Sequence, residues 1–173
     1  MMRDCEGGDF DTMVEIINDA AAAYRGVIPD DCWHEPYMPA RELQGELDAG
    51  VGFRGWQQDG GRHSELQGVM GAQRVRDVVL IRHAHVRTAW RNRGIGSRLL
   101  DDLIAGVDAP VLIGTWAAAG WAVRFYQKHG FRLTTPEQKN ELLRDYWTIA
   151  DRQIETSVVL ADARWFAGRD VAS

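Results

Sequence analysis

The stretch Arg91-Asn92-Arg93-Gly94-Ile95-Gly96 decides how this chain is interpreted, because it joins an apolar run (78–86) to an amphipathic one (95–105). Glycines between a strand and a helix adopt backbone angles that other residues avoid, and they let main-chain N–H groups approach a ligand. The positive end of the following helix dipole favours a bound anion. The stretch therefore predicts a phosphate-binding turn, and the alternative is a plain strand-to-helix turn with solvated arginines.

Neither standard nucleotide-binding motif fits this turn. It lacks the third glycine of the dinucleotide fingerprint and the Gly-Lys-Ser/Thr ending of a P-loop. A second motif follows about 30 residues later, and it reads Ala122-Val123-Arg124-Phe125-Tyr126-Gln127-Lys128-His129-Gly130-Phe131.

In these two motifs the chain resembles the GCN5-related N-acetyltransferases, the GNAT superfamily, and in particular its small bacterial-type members. The acetyl-CoA loop of that family reads Arg/Gln-x-x-Gly-x-Gly/Ala after a strand with an apolar end, which here is Val86. The second family motif is an Ala, then Phe-Tyr, then Gly-Phe opening the next strand. The resemblance is close over residues 78–134 and looser over the whole chain. It implies an α/β fold with a central mixed sheet of about six or seven strands flanked by helices.

Composition predicts one domain over residues 1–173, because 45% hydrophobic and 26% charged residues are typical of a globular protein. The chain has no run of 18 apolar residues and no basic segment leading into an apolar one at its start, so we expect no membrane partner, no signal peptide and a cytoplasmic location. A net charge of −5 argues against a nucleic-acid partner. Cys5 and Cys32 lack metal-ligand spacing and are predicted to be reduced thiols.

Apolar periodicity and turn residues predict the order of elements. The predicted order begins with a short strand at 1–5, a helix capped by Asp9 and ending at Gly26, and a helix from Pro39 to Gly50. Strands 51–57 and 64–73 around the turn Asp59-Gly60-Gly61, a strand at 77–86, a helix from 95 and a strand at 110–116 come next. The order ends with a helix at 120–129, a short strand at 131–134, a helix from Thr135 to 147, and a final strand at 154–160 before a weakly patterned tail.

The resemblance also implies which residues hold acetyl-CoA as a co-substrate. They would be the strand end and the glycine turn, namely Val86, Arg91, Asn92, Arg93, Gly94, Ile95, Gly96 and Ser97. The pyrophosphate would lie on the backbone N–H groups of 91–97, and Ser97 would add a hydroxyl or serve only as a helix cap. Relatives often carry an Asn seven positions before the motif Tyr, where this chain has Ala119.

Acetyl transfer to an amine needs a general acid and a base. Tyr126 stands where the family places its general acid, and the alternative is a core aromatic beside Phe125. Many relatives carry a Glu or His base at positions that here hold Leu80 and Arg82.

His83 and His85 are the nearest replacements for the base, since imidazole titrates in the useful range. Alternate strand residues share one face unless a bulge intervenes, so both or neither should face the cleft. The alternative is structural packing. Although their spacing suits a metal, we predict none because no third ligand is near.

The acceptor is predicted to be a primary amine of a small molecule, amino-acid-like or otherwise. In relatives the linker that corresponds to 24–38 overhangs the substrate. Tyr24, Trp33 and Glu35 suit a cationic amine, and Arg82 suits a carboxylate. The alternatives are a non-catalytic acyl-CoA-binding or regulatory domain and an acetyltransferase of protein N-termini or lysines.

A homodimer is expected if the helix at 136–147 leaves apolar side chains uncovered. The side chains concerned are Leu143, Tyr146 and Trp147. An exposed apolar patch of this kind favours association with a second copy.

Overall fold

The structure is a computed structural model that describes residues 1–58 and 65–170. Residue contacts group the chain into two compact units. The first unit consists of Met1–Arg25, His34–Gln73 and Ile81–Gly106, and the second consists of Gly26–Trp33, Arg74–Leu80 and the chain from Val107. The predicted turn Asp59-Gly60-Gly61 lies outside the described residues.

Within the described residues, seven strands form one mixed sheet in the order β1-β2-β3-β4-β5-β7-β6. The strands are β1 Met2–Asp4, β2 Gly52–Gln57, β3 Leu66–Val75, β4 Val78–Val86, β5 Val111–Trp116, β6 Arg132–Leu133 and β7 Ser157–Ala161. The helices are α1 Phe10–Ala21, α2 Ala40–Asp48, α3 Ile95–Ile104, α4 Gly120–Lys128, α5 Pro136–Tyr146, α6 Asp151–Thr156 and α7 Ala163–Asp170. The predicted mixed α/β sheet is confirmed.

The core of the first unit forms where amphipathic helices meet a strand meander. β1, β2 and β3 pair antiparallel in sequence. The helical spacing of α1 buries Met13, Ile16 and Ile17, which join Leu43 of α2 and Phe53 of β2 in one cluster. Burial of this apolar surface supplies the main driving force for the unit.

The predicted role of Asp9 is wrong in one respect. Asp9 precedes α1, but its carboxylate makes no capping hydrogen bond to that helix. It accepts instead from the backbone N–H of Glu6 at 2.8 Å and from Arg3 at 2.7 Å, so it closes the short 3-10 turn before α1. Asp9 has helical backbone angles (φ −90°, ψ −5°), whereas a helix N-cap residue normally has extended ones, so it is not in the conformation from which a side chain caps the following helix.

The second unit has its own core around β5 and β7. These strands pair antiparallel, with Ile113 opposite Leu160. Helix α5 begins with the predicted capping box, in which Thr135 Oγ1 accepts from Gln138 N at 3.3 Å and Gln138 Oε1 accepts from Thr135 N at 3.0 Å. The cap starts the helix at Pro136, as the sequence pattern predicted.

The C-terminal part of the chain differs from the prediction. Residues 154–156 belong to helix α6 and not to the final strand, which begins only at Ser157. The weakly patterned tail forms α7, where Asp162 Oδ1 accepts from Trp165 N at 3.2 Å and Trp165 is buried. A six-residue helix is too short to show a helical period against the alternation of the strand that follows.

The three apolar side chains at the end of helix α5 are covered to different degrees. Leu143 is 1% exposed, and Tyr146 and Trp147 are partly buried against the same core. Gly114 on β5 makes room for this packing, because a Cβ there would lie 3.4 Å from the Trp147 ring. The homodimer stays a prediction.

Among the residues that the structure describes, no helix is both long enough and apolar enough to cross a membrane.

Candidate cofactor and catalytic site

The predicted phosphate-binding turn lies between β4 and α3, in the first unit. A short 3-10 turn (Thr88–Trp90) follows β4, and Gly94 then precedes α3 with a φ of 76°. Asn92 also has a positive φ, of 60°. No atom lies within 4 Å of the position of a Cβ at Gly94, so the space beside this residue is open.

The turn presents a row of backbone donors. The six N–H groups from Asn92 to Ser97 donate no hydrogen bond to any residue that the structure describes. The first bond of α3 runs from Arg98 N to Gly94 O, at 3.1 Å. Helix N-termini always leave such donors, and a preceding glycine turn adds to them. This donor set suits an anionic group such as a pyrophosphate.

The arginines of this region have different surroundings. Arg91 donates to Ala20 O at 2.8 Å and is thereby engaged with the end of α1. Arg93 lies over the Trp90 ring at 4.5 Å, and Arg98 lies over the Trp56 ring at 4.8 Å. Neither Arg93 nor Arg98 forms an ion pair within residues 1–58 and 65–170.

A cavity of about 360 Å³ adjoins these arginines. The residues that line it are Met1, Trp56, Gln58, Trp90, Arg93, Ile95 and Arg98. Of the two predicted cationic residues, Arg93 is among those that line this cavity. Arg98 lines it as well, and the motif carried no signal for Arg98.

Gly68 on β3 sets the packing beneath the turn. A Cβ at this position would lie 3.0 Å from Ile95 Cγ2, 3.1 Å from Val86 Cγ2 and 3.2 Å from His85 O. Only glycine lets the strand approach so closely. Two predicted cofactor residues, Val86 and Ile95, thus meet against Gly68, a residue that the sequence motifs did not include.

The two candidate base histidines have different environments. His83 has a φ of 49°, which interrupts the regular strand geometry, and its ring stacks on Phe53 with centroids 6.0 Å apart. His85 is 7% exposed. Burial, followed by the positive charges of His83 and Arg91, lowers the pKa of His85 to about 3. At neutral pH His85 is therefore uncharged.

Glu46 on α2 contacts two of the predicted site residues and was not itself predicted from the sequence. Its Oε2 atom lies 3.1 Å from His83 Nε2 and 2.7 Å from Arg82 Nη2. Burial alone would raise the pKa of Glu46, but contact with His83 and Arg82 outweighs burial and leaves that pKa below its usual value. No local pattern indicates Glu46, because its partners follow 36 and 37 residues later.

Arg82 is already engaged within the first unit. It donates to Glu46 Oε1 and to Gln73 Oε1, each at 2.9 Å, and its side chain is 16% exposed. Burial lowers the pKa of Arg82, against the charge of Glu46. A substrate carboxylate would have to compete with both of these partners.

The predicted acceptor residues fall in different units. Tyr24 and Glu35 belong to the first unit and Trp33 to the second. The Tyr24 ring lies 5.4 Å from that of Tyr37, and burial raises the pKa of Tyr24. Glu35 forms an exposed ion pair with Arg25. A cationic acceptor would have to compete with Arg25 for the Glu35 carboxylate.

Tyr126 lies on α4 in the second unit. It is 6% exposed, and its ring meets the rings of Phe125 at 5.0 Å and Phe131 at 6.3 Å in edge-on geometry. Ala119, which replaces the Asn of relatives, is buried just before α4. Burial of the ring fits a core aromatic and also fits a proton donor held in a dry site.

In the described ranges, 1–58 and 65–170, no group of three or more His, Cys, Asp or Glu side chains is placed to hold a metal ion. Cys5 and Cys32 are both free thiols.

The fold is shared with many solved acetyltransferases. An acetyltransferase of the GNAT family from Staphylococcus aureus has 19% identity and a TM-score of 0.68, with 94% of this chain and 97% of that chain covered. The PaiA N-acetyltransferase from Thermoplasma acidophilum, solved with coenzyme A, has 15% identity, a TM-score of 0.68 and the same coverage. The ribosomal-protein-S18-alanine N-acetyltransferase from Escherichia coli has 17% identity and a TM-score of 0.65, with 94% and 92% covered.

Family membership rests on the sequence itself. Among curated protein sequences none matches this chain. A family model described as the acetyltransferase (GNAT) domain matches residues 20–146, which include the glycine turn and the motif around Tyr126. Because this match covers well over half of the chain, the chain belongs to the GNAT family and is an N-acetyltransferase.

Proposed function

We propose that the protein transfers the acetyl group of acetyl-CoA to the primary amine of a small molecule. The observation that carries this proposal is the row of six backbone N–H groups, from Asn92 to Ser97, that have no partner among the described residues. Hydrogen bonds to a charged acceptor contribute roughly 1.5–3 kcal/mol each, so a few of them would anchor a pyrophosphate. Arg93 and Arg98 would add cationic contacts beside the cavity.

His83 is the base in this proposal. If the acceptor has a lysine-like pKa of ~10.4, keeping it neutral at pH 7 costs roughly 4.6 kcal/mol, so a group must take its proton. His85 is a poor candidate, since its pKa of about 3 means that it holds a proton only weakly. His83 Nε2 lies 3.1 Å from a carboxylate oxygen of Glu46.

Tyr126 is the proposed general acid. The new bond joins the amine nitrogen to the acetyl carbon while the carbon–sulfur bond breaks, and the departing thiolate takes a hydrogen bond and then a proton from the Tyr126 hydroxyl. The nitrogen releases a proton to water as it becomes an amide, and the Tyr126 phenolate takes a proton back from water. Acetyl-CoA supplies the reactive thioester when bound. The protein's own groups hold it and move the two protons.

A small cationic acceptor is favoured by Tyr24 and Glu35, which offer aromatic surface and negative charge in the first unit. Trp33 is a further predicted contact. A single domain over 1–173, a cytoplasmic location and a homodimer are further predictions from the sequence.

The experiment is a coenzyme A release assay with acetyl-CoA and a panel of small amines, amino acids and peptides. We expect Tyr126→Phe to lower kcat by about 10²-fold with the best acceptor, since the ring keeps its packing and loses only the proton donor. The matched control is Tyr146→Phe. It removes a hydroxyl that, in the wild type, donates a hydrogen bond to Asp77 Oδ1 at 2.7 Å in the second unit. Affinity for acetyl-CoA and the melting temperature should change little in either variant.

Three results would count against this assignment. A wild-type rate in Tyr126→Phe would return Tyr126 to the core. Binding of acetyl-CoA without turnover on any amine would indicate a non-catalytic domain, and turnover on peptides alone would replace the small acceptor by a protein one.

A further inference from the structure

A carboxylate and an imidazole face each other inside the first unit. Glu46 Oε2 lies 3.1 Å from His83 Nε2. Both atoms are buried, and neither has a hydrogen bond of good geometry to the described residues. A buried polar atom without a hydrogen bond destabilises the fold. A hydrogen bond between Glu46 Oε2 and His83 Nε2 would give both atoms a partner.

The chemistry of the pair decides where that proton lies. An ionised carboxylate only accepts hydrogen bonds, so His83 Nε2 must carry the hydrogen. A neutral imidazole carries one proton, and Nδ1 is then left with a lone pair. Nδ1 makes no hydrogen bond to the described residues, and it is not among their buried unpaired atoms, so it reaches solvent.

Neighbouring groups fix both members of the pair. Arg82 Nη2 lies 2.9 Å from Glu46 Oε1 and 2.7 Å from Oε2, while its Nη1 donates to Gln73. The His83 ring stacks on Phe53. The side chains of Glu46 and His83 are only 20% and 17% exposed. Neither is free to turn away without loss of these contacts.

We propose that Glu46 is a positioning residue, which holds His83 as the Nε2–H tautomer so that Nδ1 is open to accept a proton. This inference rests on the proposed function, in which His83 takes a proton from the acceptor. In that step an N–H bond of the acceptor ammonium breaks, the proton passes to Nδ1, and the amine nitrogen keeps the electron pair. The imidazolium that results lies beside the Glu46 carboxylate, with Arg82 and His85 as the other titratable groups that act on it.

The first test is the tautomer of His83, which needs no activity. Nitrogen NMR of protein labelled with ¹⁵N-histidine, assigned with His83→Gln, distinguishes a protonated from an unprotonated ring nitrogen. We expect the Nε2–H form to predominate in the wild type. Glu46→Gln should give a mixture, since an amide either accepts from or donates to Nε2. The matched control is Glu42→Gln, an exposed carboxylate on the same helix, which should leave the spectrum unchanged.

The second test is turnover. In Glu46→Gln we expect kcat to fall about tenfold with little change in KM, because the imidazolium formed in the proton-transfer step loses the carboxylate beside it. Glu42→Gln should behave as the wild type.

The outcomes separate this inference from the proposed function. An Nδ1–H tautomer in the wild type would overturn the inference, and so would a tautomer population that Glu46→Gln leaves unchanged. If Glu46→Gln fails to fold, the wild-type tautomer alone decides. If no amine is acetylated, the proposed function fails while the spectrum still reports whether Glu46 sets the tautomer.

Discussion

The buried imidazole of His85 makes a quantitative prediction about stability. Its pKa of about 3 in the folded protein lies well below the value of ~6.5 expected for an unfolded chain. Protons therefore bind more tightly to the unfolded state. The contribution of neutral His85 to the free energy of unfolding is fully present above about pH 6.5 and is lost as the pH falls towards about 3.

The size of the effect follows from the two pKa values. Each pH unit inside this window removes about 1.4 kcal/mol of unfolding free energy. Between pH 7 and pH 5 the loss is about 2 kcal/mol, because the first half unit lies above the window. The pKa values of Glu46 and Asp9 are lowered in the folded state, so these two carboxylates change the unfolding free energy mainly below pH 4.5, outside this interval.

The assay is urea unfolding at pH 7, 6 and 5, in the wild type and in His85→Gln. The wild type should lose about 2 kcal/mol across this range, and the variant should lose less than about 0.5 kcal/mol, whatever its stability at pH 7. The matched control is His34→Gln, which removes an exposed histidine and should retain the wild-type slope. A flat wild-type profile, or an equal slope in His85→Gln, would refute the argument.

Two further predictions concern glycines of the first unit. Gly94→Val should weaken acetyl-CoA binding at least tenfold by calorimetry, while Gly106→Val, with a φ of 75° and equally open surroundings, should carry the same backbone strain without loss of affinity; equal affinity in both variants would remove the turn from the cofactor site. Gly68→Ala should destabilise the fold by about 1–3 kcal/mol in thermal melts, since its Cβ would meet three atoms at 3.0–3.2 Å. Gly45→Ala on α2, with nothing within 4 Å, should instead stabilise slightly, and similar melts for the two would contradict the packing argument.

Elements that carry their own signals could be predicted from the sequence. Helix α5 has both halves of its capping box within four residues. The glycine turn lies where the apolar run of a strand gives way to the amphipathic pattern of a helix. The short helix α6 has no such signal, and its last three residues, 154–156, also fit the start of β7. Local patterns identify elements that are stabilised locally, and the other boundaries depend on tertiary packing.

The site shows the same division. The predicted cofactor residues all lie within the short segment 86–97, and the backbone donors of that segment depend on the turn itself. Glu46 and Gly68 owe their roles to residues far along the chain, such as His83 and Ile95. A sequence motif records residues that act together in one segment. It does not record a carboxylate that a separate helix brings to a strand.

The row of backbone N–H groups from Asn92 to Ser97, which have no partner among the described residues, has a consequence for how long the folded protein survives. A ligand that binds these donors only in the native state raises the unfolding free energy by mass action, by about 2.7 kcal/mol when its concentration is one hundred times its Kd. The population of unfolded chains that proteases can attack then falls about a hundredfold. If acetyl-CoA is that ligand, a well-supplied cell would keep more of this enzyme intact, and starvation would hasten its degradation.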